Sequence, residues 1–195
     1  INIDNQKKNN SSKKWLIKIS SNIFYLLPLS LLTGPFLPDL FISIIAVLII
    51  AQIIVDKNFN YFTNNFFYLF ILFYIYINFS SLFSSQIIHS LESSVFYFRF
   101  GLFAISTWYL IDNNKQFLKN FTIMLIFTFI LALFGGYFQF FAGFNPFGFR
   151  AIDNLPRLTL TFHDKLLLGS YIARLFPLLL ALIIYHFAEK KIGIF

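Results

Sequence analysis

The chain of 195 residues is 58% hydrophobic and 12% charged, and its mean hydropathy is +0.73. Because an ordinary soluble domain carries about 25% charged residues, this composition excludes a soluble fold and predicts an integral membrane protein. The net charge of +7 lies between apolar segments instead of on one face of a soluble domain, so we expect no nucleic-acid partner.

Cysteine and histidine usage exclude further classes of site. The chain has no cysteine, which rules out disulfides, thiolate metal sites and cysteine nucleophiles. The three histidines, His89, His163 and His186, lack the close spacing of a helical metal motif. We therefore expect no metal and no other cofactor.

The basic segment 1–14 opens the chain, and the bundle is expected to occupy residues 15–195. The first apolar run follows "KKNNSSKKW" like a signal peptide, but it is too long and lacks a small-x-small cleavage site, so it predicts a retained anchor. The chain begins with Ile1 and ends with "KKIGIF", which resembles the approach to another apolar segment. We expect a fragment of a longer protein.

Six apolar stretches approach the length of about 20 residues that a bilayer core requires. Backbone groups cannot remain unpaired in lipid, so these stretches predict an all-α, polytopic transmembrane helix bundle. Gly34, Pro35 and Pro38 predict a tight hairpin after the first span, while Pro28 and Pro177 predict kinks within spans. The six predicted spans are 15–33, 37–55, 61–83, 95–111, 117–141 and 166–188.

Lysines predict the orientation of these spans. Alternate loops on one side carry ten lysines, which the positive-inside rule places in the cytoplasm together with both termini, and the outer loop is then 142–165. All four arginines fall in the outer loop or inside a span, and the planar guanidinium suits bidentate capture of phosphate or carboxylate. The ten lysines are Lys7, Lys8, Lys13, Lys14, Lys18, Lys57, Lys115, Lys119, Lys190 and Lys191.

Two arginines lie inside the predicted spans, Arg99 about one turn and Arg174 about two turns from the outer ends, or roughly 6 to 12 Å deep. An arginine at the centre of a spanning helix costs about 2.5 to 3.5 kcal/mol on insertion scales. The pair predicts a polar cavity that opens to the outside and holds an anion, with Gly135 and Gly136 bringing backbone close to it. The alternative is that Arg99 reaches lipid headgroups and Arg174 pairs with Asp164 or a backbone carbonyl.

The outer loop contains "GFNPFGFRAIDNLPRLTLTFHDK" and is longer than most connections, which is typical of functional loops. It contributes Arg150 and Arg157 to the candidate site. His163 is a possible general acid or base because its ordinary pKa lies near neutrality, although a lone loop histidine more often has no catalytic role. Asp164 is a further candidate, and its plainest role is a carboxylate favoured by the N-terminal dipole of the next helix.

Two stretches resemble the O-antigen ligase and O-antigen polymerase superfamily. The main one is "YFQFFAGFNPFGFRAIDNLPRLTLTFHDKLLLGSYIARLFPLLL", residues 137–180, with an aromatic-Gln-aromatic element, a G-x-N-P-x-G loop, an Arg-Leu-Thr stretch and a Gly-Ser-Tyr element before a span with Arg and Pro. The second is "SLESSVFYFRFGLFAIS", residues 90–106, which is similar to an earlier arginine-bearing span of that family.

The resemblance implies a multi-pass glycosyltransferase of the bacterial inner membrane that uses neither metal nor nucleotide sugar. Its partners would be an undecaprenyl-pyrophosphate-linked glycan as donor, a lipid A core or lipid-linked glycan as acceptor, and membrane lipid. By this resemblance Arg157 would stabilise the leaving pyrophosphate, with Arg150 and Arg174 assisting and Arg99 as a weaker fourth contact. Fixed guanidinium groups in a poorly solvated pocket suit that chemistry, because they stabilise developing charge.

The chain departs from the family pattern at Leu160, where the family has glycine. The family's acceptor-activating histidine lies in a later periplasmic loop outside these 195 residues, so this chain alone is expected to be inactive. Two alternatives remain open at this point. One is an anion transporter or channel subunit, and the other is a membrane scaffold without a site of its own.

Overall fold

The computed structural model describes the backbone of residues 2–142, 144 and 168–192, and side chains for residues 14–142, 144 and 168–188. Every regular element in these ranges is a helix. We use "outer" and "inner" for the helix ends as the lysine distribution predicts them. In chain order the elements are α1 (Asn2–Tyr25), α2 (Leu27–Ser30), α3 (Phe36–Asp56), the 3₁₀-helix η1 (Phe59–Phe62), α4 (Asn65–Ser81), α5 (Ile87–Val95), α6 (Phe98–Asn113), α7 (Phe117–Ala142) and α8 (Leu168–Ile192).

Within the described residues, four helical stretches are long and apolar enough to cross a membrane. They are Phe36–Asp56, Ile87–Asn113, Phe117–Ala142 and Leu168–Ala188, and α4 is a shorter apolar helix. The chain therefore has the helices of a membrane protein, and the prediction of an all-α fold is confirmed for the described part. The predicted second, fifth and sixth spans correspond closely to α3, α7 and α8.

The first predicted span, 15–33, is two helices instead of one. The helix α1 ends at Tyr25 and α2 begins at Leu27, with Pro28 in its first turn. Proline lacks an N–H group and its ring collides with the carbonyl four residues earlier, so a helix entering Pro28 is interrupted. The turn that follows is where Gly34 predicts it, and the φ of Gly34 is +117°.

The third and fourth spans begin at different residues from those predicted. Asn64 caps the N-terminus of α4: its backbone is extended, and its side chain accepts a hydrogen bond from the N–H of Phe67. The helix α4 therefore begins four residues after Tyr61, where the third span was predicted to begin. The fourth stretch begins at Ile87 instead of Val95. Because the residues between α5 and α6 keep right-handed helical dihedrals, the two helices form one long apolar stretch.

The chain forms two compact units, Ile1–Phe24 with Asp39–Lys115, and Tyr25–Pro38 with Gln116–Phe195. In the first unit, Ile45, Ile49 and Ile53 of α3 are fully buried. These residues follow the spacing of one helix face. The helices α4 and α5 are antiparallel neighbours, since the Tyr74 hydroxyl donates to the carbonyl of Val95 over 3.0 Å.

The second unit is built from α2, α7 and α8. Leu32, Ala132 and Tyr171 pack together near the end of α7 that precedes the outer loop, and Leu125 and Leu179 pack nearer its beginning. The Tyr171 hydroxyl donates to the carbonyl of Pro28 at 2.7 Å. That carbonyl is accessible because the N–H of Leu32, its partner in a regular helix, bonds to Leu29 instead.

Large apolar side chains cover much of the described surface. On α4, Phe66 is 82% exposed, and Leu69, Leu72 and Tyr76 are also exposed. Contiguous apolar surface of this kind is not found on soluble monomers, and it fits contact with lipid chains.

Candidate functional site

Four of the predicted site residues lie outside the described residues. They are Arg150, Arg157, His163 and Asp164 in the outer loop. Their proposed roles remain predictions, as does the effect of Leu160 on the local turn.

Arg174 lies in α8, six residues after Leu168, so its Cα is about 9 Å along the described helix. Its side chain is exposed, and no described residue forms an ion pair or hydrogen bond with it. An unpaired guanidinium on an apolar helix is costly in lipid. Arg174 is therefore available to an anion supplied from outside the described residues.

Arg99 has a partner that the sequence did not predict. Its Nη2 donates to Oδ2 of Asp39 at 2.9 Å, and the two side chains are 30% and 44% exposed. Asp39 lies in the first turn of α3, where the N-terminal helix dipole stabilises its negative charge. The pair ties the outer ends of α3 and α6 together and neutralises the charge of Arg99.

The depth of Arg99 agrees with its place near the outer end. The stretch Ile87–Asn113 is about 40 Å long, whereas the hydrocarbon core is about 30 Å thick. If Asn113 lies at the inner boundary, the outer boundary falls near Ser94 and the Cα of Arg99 lies roughly 8 Å below it. The helix α5, which carries His89, Glu92 and three serines besides its apolar residues, then lies in the headgroup region.

Most of the hydrogen-bonding capacity of Arg99 is unused. A guanidinium has five N–H groups, and only the bond to Asp39 is formed with the described residues. The Nε atom is buried and has no hydrogen-bond partner in the described ranges. The guanidinium carbon lies 5.0 Å from the ring centroid of Phe100, which stacks against it as a cation–π partner.

Arg99 belongs to the first unit and Arg174 to the second. The shared cavity that the sequence predicts for these two arginines therefore stays a prediction.

An apolar groove of about 460 Å³ lies between α4 and α6 in the first unit. The side chain of Phe70 occupies the space next to Gly101, where a Cβ atom would collide with the ring, so the two helices approach closely there. Tyr97 and Trp108 line opposite ends, about 16 Å apart along α6. Among the other lining residues are Phe66, Phe67, Phe73, Phe100 and Ala104.

A polar cluster that the sequence analysis missed joins the inner ends of α3, η1 and α6. Asp56 accepts hydrogen bonds from the Tyr109 hydroxyl and the Gln52 amide, each at 3.0 Å, and Asp112 accepts one from the Tyr61 hydroxyl at 3.1 Å. Burial raises the pKa of Tyr61, and the hydrogen bond and negative charge of Asp112 raise it further. The signal in the sequence was an aspartate directly after the inner end of the second and of the fourth predicted span.

The helix α7 buries a polar side chain near its outer end. Gln139 is fully buried, one turn beyond the buried Gly135 and Gly136. Towards the opposite end of α7, Thr122 Oγ1 lies 3.2 Å from His186 Nε2 of α8. These contacts make His186 part of the packing of α7 on α8.

Comparison of the chain with family models, with curated proteins and with solved structures finds no match.

Proposed function

We propose that the protein transfers a glycan from an undecaprenyl-pyrophosphate carrier to a lipid A core or lipid-linked glycan acceptor. The reaction takes place at the periplasmic face of the bacterial inner membrane, without a metal ion. The resemblance of residues 137–180 and 90–106 to O-antigen ligases and polymerases supports this proposal.

The structural observation that carries the proposal is Arg174, which lies about 9 Å into an apolar helix, is exposed, and has no ion-pair or hydrogen-bond partner among the described residues. This depth suits an anion that lies at the boundary between lipid and water, such as the pyrophosphate of a membrane lipid. An arginine on a water-exposed surface would not support the proposal, because water solvates its charge fully.

The proposed chemistry places the arginines around the leaving group. An acceptor hydroxyl attacks the anomeric carbon and gives its proton to the acceptor-activating histidine that the resemblance implies. The bond from that carbon to the pyrophosphate oxygen breaks, and the carrier pyrophosphate leaves with the electron pair. Arg157 stabilises the charge that develops on that oxygen, with Arg150 and Arg174 beside it. Arg99 contributes least, because Asp39 already neutralises it.

The inner end of the first unit supports transfer over the alternative of anion transport. Tyr61 contacts Trp108 and Tyr109 edge-on, with ring centroids 5.6 and 5.4 Å apart. Transport through this unit would require a polar path past these packed rings and past the carboxylates of Asp56 and Asp112. A transferase needs access from the outer face and from lipid only.

The test is replacement of Arg157 by alanine in the full-length protein in its native cell. Removing one preorganised donor to a developing oxyanion lowers turnover by about 10² to 10³, so transfer of glycan to the acceptor should be lost while membrane insertion continues. The matched control is Lys115→Ala, which removes one positive charge from the predicted cytoplasmic side. Normal transfer by the Arg157→Ala variant would refute the role of Arg157.

A further inference from the structure

The Arg99–Asp39 pair has hydrogen-bond donors and an acceptor that form no bond with the described residues. In the part of the chain that the structure describes, Nη1 and Nε of Arg99 have no acceptor, and Oδ1 of Asp39 accepts no hydrogen bond. Both side chains are partly exposed at the outer end of the first unit. Because Nε is buried, the pair offers the free N–H groups of Nη1 to an anion and, next to them, an acceptor to a cation.

The charge of the pair decides which kind of ligand fits. One guanidinium and one carboxylate sum to zero, so a pyrophosphate with several negative charges would be attracted by Arg99 and repelled by Asp39 at nearly the same distance. A ligand with its own phosphate and its own cation matches both groups. Charge-assisted hydrogen bonds of this kind are about twice as strong as neutral ones.

The aromatic groove supplies a place for a hydrocarbon chain next to this pair. Phe100 lines the groove and also lies against the Arg99 guanidinium. From Tyr97 to Trp108 the groove runs about 16 Å, close to the thickness of one leaflet of a hydrocarbon core about 30 Å thick. Its volume of about 460 Å³ lies within the ordinary range of ligand sites.

We propose that the groove between α4 and α6 and the Arg99–Asp39 pair together bind one zwitterionic aminophospholipid of the outer leaflet. The phosphodiester accepts hydrogen bonds from Arg99, the ammonium group donates to Asp39, and one acyl chain fills the groove. This proposal uses Arg99, the weakest of the proposed pyrophosphate contacts, and does not depend on glycan transfer.

The head group distinguishes this lipid from others of similar size. Phosphatidylethanolamine has three N–H donors for Asp39, phosphatidylcholine has a cation without N–H donors, and phosphatidylglycerol has no cation. The order of affinity is therefore phosphatidylethanolamine first, with the other two weaker. The difference from phosphatidylcholine is expected to be about tenfold, the usual effect of one hydrogen bond to a charged group.

Tryptophan fluorescence gives a direct readout, because Trp108 lines the groove and Trp15 is the other tryptophan of the chain. The Trp15→Phe protein is reconstituted in vesicles that contain a minor fraction of lipid with brominated acyl chains, which quench a tryptophan in contact with them. Brominated phosphatidylethanolamine should quench Trp108 at about one tenth of the mole fraction that brominated phosphatidylcholine requires. Equal quenching by the two lipids would overturn the proposal.

Two variants separate the head-group contacts. Asp39→Asn should reduce the preference for phosphatidylethanolamine over phosphatidylcholine, because a neutral amide oxygen accepts from the ammonium group more weakly than a carboxylate does. Arg99→Gln should weaken quenching by every phospholipid. If Arg99→Gln does not fold, as judged by its circular dichroism, Arg99→Lys keeps the charge and should show intermediate quenching. Unchanged lipid preference in Asp39→Asn, or unchanged quenching in the folded Arg99 variant, would overturn the assignment.

Two further comparisons identify the occupant of the groove. Ala104→Leu fills the groove from α6 and should remove quenching at low mole fraction, whereas Ala51→Leu, at an exposed position of α3, should leave it unchanged. Unbrominated polyprenyl pyrophosphate should compete poorly with brominated phosphatidylethanolamine. If polyprenyl pyrophosphate instead displaced brominated phosphatidylethanolamine at a lower concentration than unbrominated phosphatidylethanolamine does, the groove would be assigned to the carrier lipid. That result would refute our proposal.

Discussion

The ion pair between Arg99 and Asp39 can be tested by a double-mutant cycle. The perturbations are Asp39→Asn, Arg99→Gln and both together. At 2.9 Å two unit charges interact by about 6 kcal/mol at an effective dielectric constant of 20. Desolvation and side-chain ordering offset most of this, and exposed pairs in water retain only about 0.2 to 1 kcal/mol. Because the pair lies in the outer leaflet and is less than half exposed, we expect a coupling of about 1 to 2 kcal/mol.

The assay is the free energy of unfolding in mixed micelles, measured by titration with a denaturing detergent. The control cycle combines Arg99→Gln with Asp112→Asn, since Asp112 lies about 20 Å further along α6 and should show additive effects. A coupling between Asp39 and Arg99 no larger than the additivity error of about 0.3 to 0.5 kcal/mol would refute the argument that the pair holds the two helices together.

Three further substitutions test other parts of the fold. Tyr171→Phe removes a buried hydrogen bond to backbone and should lower the unfolding free energy by about 0.5 to 1.5 kcal/mol, whereas Tyr185→Phe, at an exposed position of α8, should not. Gly34→Ala should cost about 1 to 3 kcal/mol through backbone strain alone, since its φ is +117° and no atom lies near the added Cβ; an unchanged unfolding free energy would contradict this. The pKa of Tyr61 is raised in the folded state, so its contribution to stability is fully present below pH 10 and is lost as pH rises through the raised value. Unfolding at alkaline pH should therefore depend less on pH in Tyr61→Phe, and identical pH profiles would contradict the assignment.

The sequence predicts the helices that are bounded by sharp local signals. Gly34 and Pro35 end the first span directly before α3, and the start of α7 at Phe117 follows a short polar turn, so both helices lie where they are expected. The start of the fourth stretch was missed because the few apolar residues of α5 recur at helical spacing among polar ones. Such a helix has an apolar side without a continuous apolar run, so its start is hard to locate from the sequence.

Side-chain pairs between helices could not be predicted from the sequence. Arg99 and Asp39 are 60 residues apart, and Tyr109 and Asp56 are 53 apart. Sequence spacing identifies neighbours within one helix but not between helices. The sequence predicts an anion or lipid headgroups as the partner of Arg99 and does not indicate Asp39. The cost of a lone charge in lipid correctly indicates that some partner is needed.

The most direct test of the account is transfer of a labelled glycan by the purified full-length protein in liposomes. The donor is the glycan on undecaprenyl pyrophosphate, the acceptor is lipid A core or a second lipid-linked glycan, and a chelator removes divalent metal. We expect the label to appear on the acceptor in the presence of chelator, and to remain on the carrier when Arg157 is replaced by alanine. Label that never leaves the carrier with the unsubstituted protein, or anion flux across the bilayer in place of transfer, would contradict the account.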